Sequence, residues 1–187
     1  MPARDLNYAS NLSPEFALLG LLAQQPAHGY ELHQRLTTDL GQVWHISLSQ
    51  AYNILNRLEA QGFIAGAVQE QEKLPDRRRF RLTPAGRRRF EAWLHSTSGC
   101  SVRAIRVEFT TRLYFCNTLG PAASRTLVET QIAETRACLA HLQTMLNDLP
   151  EDGVFNRMGL ELRVRQLGSV VEWLRECGAA LGVEVQS

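Results

Sequence analysis

The sequence predicts a mainly α chain with one small β-hairpin, built as two parts, and three observations predict it. Residues 14 to 62 hold three segments with apolar side chains at helical spacing, punctuated by Pro26, Gly41 and Gly62. Residues 63 to 82 hold two short strand-like runs around a polar turn. Residues 128 to 149 and 160 to 181 carry apolar positions at alternating gaps of four and three, the spacing of two helices packed lengthwise. At 187 residues and 44% hydrophobic content, the chain suits one ordinary globular domain or two small ones rather than a disordered tail.

The first element starts at Ser13, with Pro14 and Glu15 in its first turn, and runs to Pro26. Phe16, Leu18, Leu19, Leu21 and Leu22 leave it little polar face, so it is expected to be buried on most sides. A second helix opens at His28 to Leu32, with Tyr30, Leu32, Leu36 and Leu40 as its packing positions and Gly41 as its stop. Trp44 and Ile46 lead to the third.

That third helix, Ser47 to Gly62, has two faces of different character. Ser47 and Gln50 fit a capping box, and Gly62 is the residue type that ends a helix. Leu48, Ala51, Leu55 and Leu58 form the expected buried stripe. The other face presents Ser49, Gln50, Asn53 and Asn56, with Arg57 behind them, where an ordinary solvated face favours Glu and Lys. Amides and hydroxyls both donate and accept, which suits base edges in a major groove without repelling phosphate. A polar surface helix is the bland alternative, and the residues that follow decide against it.

Phe63 to Val68 is a short apolar strand. In its partner, Phe80 and Leu82 alternate with Arg79 and Arg81, so a period of two turns the apolar pair inward and both arginines outward. Lys73, Leu74, Pro75 and Asp76 mark the turn between them. Thr83 caps a further helix and Pro84 occupies its first position, where a missing N–H costs nothing. Helix, hairpin, helix is the order of a winged helix-turn-helix. Seven arginines (77, 78, 79, 81, 87, 88, 89) fall within thirteen positions that hold no acidic residue. Beside a candidate reading helix, such a run supplies the phosphate contacts that position a protein on a duplex and give most of its affinity.

The ordered set LLGLLAQQPAHGYEL (18 to 32), AYNILNRLEAQGFI (51 to 64) and PDRRRFRLTPAGR (75 to 87) resembles the PadR family of transcriptional regulators, in particular its virulence-activator-like branch. The resemblance covers about residues 14 to 94, and its most specific parts are Gly29-Tyr30-Glu31-Leu32, Tyr52 with Leu55, Leu58, Glu59 and Gly62, and Leu82-Thr83 with Ala85-Gly86. It implies an N-terminal winged helix-turn-helix DNA-binding domain, residues 12–95, whose third helix enters the major groove and whose wing follows the backbone. By position it implicates Ser49, Gln50, Tyr52, Asn53 and Arg57 in the helix, and Lys73, Arg77, Arg78 and Arg79 in the wing. Glu70, Glu72 and Asp76 in or beside the wing tip move the expected contacts to the arginines at its base. The resemblance also implies repression as the commoner outcome, and a small aromatic or hydrophobic effector, for which Trp44, Trp93 and Trp173 are candidate pocket residues.

After His95 to Gly99, which reads as a short polar linker, the pattern changes to long helices. Residues 103 to 119 carry Ile105, Val107, Phe109, Leu113, Tyr114 and Phe115. Gly120 and Pro121 break the run. Val128, Ile132, Thr135, Leu139, Leu142, Leu146 and Leu149 then form one seam, and Leu160, Val164, Leu167, Val171, Leu174, Gly178 and Leu181 a second. Two consecutive seams predict an antiparallel α-helical dimerisation domain, residues 103–182. Phe109, Phe115, Phe155 and Trp173 are surplus to a thin hairpin and point to a homodimer. A two-fold pair would set two reading helices on the half-sites of an inverted repeat.

No nucleophile with its base, paired carboxylates or phosphate-cradling glycine loop is visible, so an enzyme is not expected. The histidines lack metal-ligand spacing and the four cysteines lack paired spacing, so neither metal nor cofactor is expected and the thiols should stay reduced in a cytoplasm. No segment approaches the roughly 20 apolar residues of a membrane span. The sequence thus predicts a sequence-specific DNA-binding regulator acting as a homodimer. The alternative is a winged-helix protein-interaction module that binds DNA without sequence preference.

Overall fold

In the computed structural model, residues 13–69, 77–150 and 153–182 are described, with Val68, Gln69 and Arg77 placed by backbone alone. Lys73 and the acidic Glu70, Glu72 and Asp76 lie outside the described residues. The chain divides into an N-terminal unit ending at Ser96 and a C-terminal unit starting at Thr97.

The N-terminal unit runs α1 (Glu15–Gln24), β1 (Ala27–His28), α2 (Gly29–Leu40), α3 (Leu48–Ala60), β2 (Ile64–Gln69), β3 (Arg77–Leu82) and α4 (Pro84–Leu94). Ala17, Leu18, Leu19, Leu21 and Leu22 of α1 are buried, as a helix with little polar face requires. They meet Leu32, Leu36 and Leu40 of α2, Ala51, Leu55 and Leu58 of α3, and Phe80 of β3 in one core. Each fully buried Leu there contributes about 1.5–3 kcal/mol of transfer free energy. Phe16 is only half-buried; its ring stacks on Trp93 of α4 at 4.7 Å and 4°. Trp93 is therefore a packing residue of the N-terminal core.

Two packing expectations are corrected. Tyr30 is 58% exposed and Leu48 is 37% exposed, so neither belongs to the core. Both stand in the first turn of their helices, where the neighbouring elements do not yet cover the apolar face; Ile54 is buried on α3 with Ala51, Leu55 and Leu58. A third element escaped the pattern altogether: β1, two residues long, pairs antiparallel with β3 (Ala27 with Phe80, His28 with Arg79), making a three-stranded sheet in the order β1-β3-β2. Two residues show no period, so only the fold reveals them.

The C-terminal unit opens with α5 (Val102–Ala104), a π-helical turn (Ile105–Phe109) and α6 (Thr110–Leu119), followed by α7 (Pro121–Asn147) and α8 (Val154–Ala180). In the π turn the Thr110 N–H donates to the carbonyl of Ile105, five residues back. The Thr111 hydroxyl donates to Val107 O at 2.6 Å, a carbonyl that the Thr110 N–H also reaches. α7 and α8 pack lengthwise as a hairpin, with Val128, Ile132, Thr135 and Leu142 buried on one helix and Leu167, Val171, Leu174 and Gly178 on the other. Both predicted seams are therefore the hairpin's interior.

The aromatic surplus is smaller than predicted. Phe109 and Phe115 are buried within the unit, because the π turn and α6 fold back on the hairpin, and only Phe155, 88% exposed, and Trp173 stay outside. The predicted linker is also corrected: Ser98 and Gly99 are buried. Gln131 holds Ser98 from both sides, accepting its N–H at 2.8 Å and donating to its carbonyl at 3.2 Å. The Arg112 guanidinium donates to the Ser98 hydroxyl and faces Glu108 at 3.6 Å. Small residues at 96 to 99 suit burial beneath a helix as well as they suit a loop, and composition alone does not separate the two.

Candidate nucleic-acid interface

The capping box at the start of α3 forms as its residues predict. Gln50 N–H donates to Ser47 Oγ at 3.2 Å, and Gln50 Oε1 accepts from Ser47 N–H at 2.8 Å. Gln50 thus spends its carbonyl on the cap and keeps its amide N–H group for an outside acceptor. At the other end Gly62 takes φ +74°, and two bonds close the helix, Phe63 N–H to Leu58 O at 2.9 Å and Gly62 N–H to Glu59 O at 2.8 Å. This is the left-handed stop that glycine makes without strain. Between the two caps Ser49, Gln50, Tyr52, Asn53, Asn56 and Arg57 are all exposed.

Tyr52 lies against the start of α2. A Cβ at Gly29 would come within 2.5 Å of the Tyr52 ring, so the absent side chain of Gly29 is what lets the ring lie flat there. The ring fixes the first half of α3 while part of it stays at the surface.

The arginines divide into paired and free. Arg57 meets Glu15 of α1 (Nη2 to Oε1 2.7 Å, Nε to Oε1 2.9 Å), and Arg89 of α4 approaches the other oxygen of the same carboxylate at 3.5 Å. Arg89 also lies over the rings of Phe63 and Phe16, at 4.6 and 5.4 Å. Arg78 forks onto Glu59 of α3, Nη2 standing 2.8 Å from each oxygen, and the Gly66 N–H donates to Glu59 Oε1 at 2.8 Å. Glu59 therefore ties the last turn of the reading helix to both strands of the wing. A Cβ at Gly66 would fall 2.7 Å from Arg78 Nε and 2.9 Å from Glu59 Oε1, so this clamp closes only over glycine.

The remaining cations face outward. Arg79 is exposed on β3 and donates to the Pro26 carbonyl at 3.4 Å, which leaves its charge uncompensated. Arg81, Arg87 and Arg88 are exposed and meet no carboxylate among the described residues. Phe80, between Arg79 and Arg81, is buried as the two-residue period predicted. Arg77 pairs through its backbone with Gln69 across the hairpin. α4 is seated by Thr83, whose hydroxyl accepts from Gly86 N–H at 3.1 Å and lies 2.8 Å from Gly62 O.

Sequence reasoning missed the roles of Glu15 and Glu59, because each pairs with an arginine far away in the chain. It also missed that Gly29 and Gly66 mark close approaches. Their only signal is the residue type itself.

Residues 18–92 match the family described as "Transcriptional regulator PadR-like family", and residues 105–182 match "Virulence activator alpha C-term". The chain carries a PadR-like regulator domain followed by a virulence-activator C-terminal domain. Among its relatives, the negative transcriptional regulator PadR of Bacillus subtilis is 28% identical over 69% of this chain and 70% of its own length. The crystal structure of Bacillus subtilis PadR in complex with operator DNA is similar at 25% identity and a TM-score of 0.45, covering 89% of this chain and 98% of that one. The structure of the Vibrio cholerae virulence activator AphA gives 22% and 0.38, covering 91% and 98%. At those structural scores the family models carry the assignment. The PadR-like match ends at residue 92, inside α4 and before the N-terminal unit closes at Ser96. No helix among the described residues is long and apolar enough to cross a membrane.

Proposed function

We propose that this chain binds duplex DNA sequence-specifically as a homodimer on an inverted-repeat operator and acts there as a repressor. One observation carries the reading: α3 displays an uncompensated amide and hydroxyl face, Ser49, Gln50, Asn53 and Asn56, beside a strand whose Arg79 and Arg81 point outward with their charge unspent. Asn and Gln suit adenine edges and Ser suits several bases, which makes this face a reader. Ser49, Gln50, Tyr52 and Asn53 are assigned to the groove. Lys73, Arg77 and Arg79 are assigned to the phosphates. Arg57 and Arg78, already on carboxylates, position the helix and the wing and add charge at the surface. Negative regulation is supported by the name of the Bacillus subtilis relative.

Dimerisation rests on α8. Phe155, Met158, Leu162 and Trp173 are exposed along it at gaps that keep one face, away from the interior seam. A two-fold pair would set two α3 helices about 34 Å apart, one turn of duplex, so that the second half-site binds intramolecularly. The effector reading rests on a groove of about 480 Å³ lined by Val102, Ile105, Arg106, Thr110, Val170 and Trp173. Its surface is mainly apolar, with Gln166 and Ser169 as further polar groups and Arg106 as a cation, which suits a small aromatic or hydrophobic molecule.

Selection of bound sequences from a random duplex pool tests the reading. Enrichment of an inverted repeat is the expected result. A pool that stays unenriched while the protein still shifts DNA at low salt would overturn it and leave a winged-helix interaction module.

A further inference from the structure

The cysteines have no paired spacing in the sequence, yet the fold brings two of them together. The Cys100 thiol donates to the Glu134 carbonyl of α7 at 3.7 Å. In a helix that carbonyl is the one used by the N–H four residues on, which here belongs to Cys138. Helical side chains lean back toward the N-terminus, so Cys138 covers the patch on which the Cys100 thiol rests. The Cys100 thiol thus lies against the turn of α7 that carries Cys138, and both are part-exposed free cysteines. The segment before Cys100 is already held on the same face of α7 by the Ser98–Gln131 pair.

We propose that Cys100 and Cys138 are a redox pair that closes reversibly into an intramolecular disulfide, with a low-molecular-weight disulfide of the glutathione type as oxidant. The Cys138 thiolate attacks one sulfur of the oxidant and expels the first thiol. Cys100, its proton lost to solvent, attacks Cys138 Sγ and expels the second. Two protein thiols are oxidised and one external disulfide is reduced to two thiols. Closure would tie the entry of the C-terminal unit covalently to α7. Burial, with the Cys138 thiol and the Glu134 carboxylate adding, pushes the Cys100 thiol up to about 12, so closure is slow at neutral pH and quickens as pH rises. Beside Cys116 and Cys177 the groups that act on the thiol are charged ones, Arg112 and Glu176.

The full-length reduced protein is incubated in glutathione buffers of increasing oxidised fraction, alkylated, digested without reduction and read by mass spectrometry. The expected product is one Cys100–Cys138 linked peptide pair, reversed by dithiothreitol, with a melting temperature raised on the order of 10 °C. Cys138→Ser abolishes both changes, and a Cys116→Ser/Cys177→Ser double variant keeps both, so the outcome stands even if Cys138→Ser folds poorly. Glutathione adducts without the link, a link between any other pair or between chains, or four free thiols across the whole range would overturn the proposal.

Discussion

Glu59 joins three parts of the N-terminal unit through one carboxylate: its own helix, the Gly66 amide of β2 and the Arg78 guanidinium of β3. Because Arg78 is about half exposed, its pair with Glu59 is worth little in isolation, about 0.2–1 kcal/mol, and its main effect is positional. A double-mutant cycle of Arg78→Ala and Glu59→Gln, read by thermal unfolding, is expected to give a coupling below about 1 kcal/mol, while each single variant loosens the wing. Asn53 behaves differently. Its side chain is exposed on the reading face, so Asn53→Ala is expected to leave stability within about 0.5 kcal/mol of the wild type. Selected-pool DNA from that variant should lose about 1–3 kcal/mol of preference at one base position and no more elsewhere. At this scale the exposure of Asn53 and Asn56 was legible, since the helical period sorts one face from the other. The partners of Arg57 and Arg78 were not, since they are 42 and 19 residues away.

At the scale of elements, local chemistry was legible and close contacts were not. The Ser47–Gln50 box, the Gly62 stop and the Thr83-Pro84 start all formed where their residue types announced them. Tyr30, Leu48 and Phe109 were misplaced because helical spacing says which residues share a face and not which faces find a neighbour. Gly86 is a contact of the hidden kind: a Cβ there would stand 2.0 Å from the Phe63 carbonyl oxygen, a backbone atom that cannot rotate away. Gly86→Ala is expected to separate α4 from the β2 edge and to destabilise the N-terminal unit by about 1–3 kcal/mol in denaturant unfolding. In the C-terminal unit, burial pushes the Glu108 carboxyl above the ordinary carboxylate range, with Arg112 opposing. Its raised value means the folded unit holds the proton more tightly than the unfolded chain. This contribution to stability is therefore full below the ordinary carboxylate range and is lost as pH rises through the raised value. The difference between wild type and Glu108→Gln, followed by melting temperature against pH, should carry that slope.

At the scale of the whole molecule, the exposed row on α8 decides whether one reading helix acts or two. Phe155→Asp with Leu162→Asp places charge on that row and leaves the α7 seam intact, since both residues are exposed. Sedimentation should show the monomer, and binding to a full inverted repeat should fall at least a hundredfold, toward the affinity for a single half-site. The sequence announced two seams; that a further row on α8 stays uncovered emerged only once the hairpin interior was assigned. The π turn at Ile105–Phe109 has a consequence for chain length. It winds more residues into one turn than the regular pitch holds, so a relative lacking a single codon there would keep a continuous, regular helix. Each residue advances a regular helix by about 100°, and the wide turn absorbs one such step, so this deletion would leave Phe115 and Cys116 on the buried faces they hold. A one-residue deletion farther along, within the regular turns of α6, would instead rotate every side chain beyond it, so the wide turn marks the place where this unit absorbs a change of length.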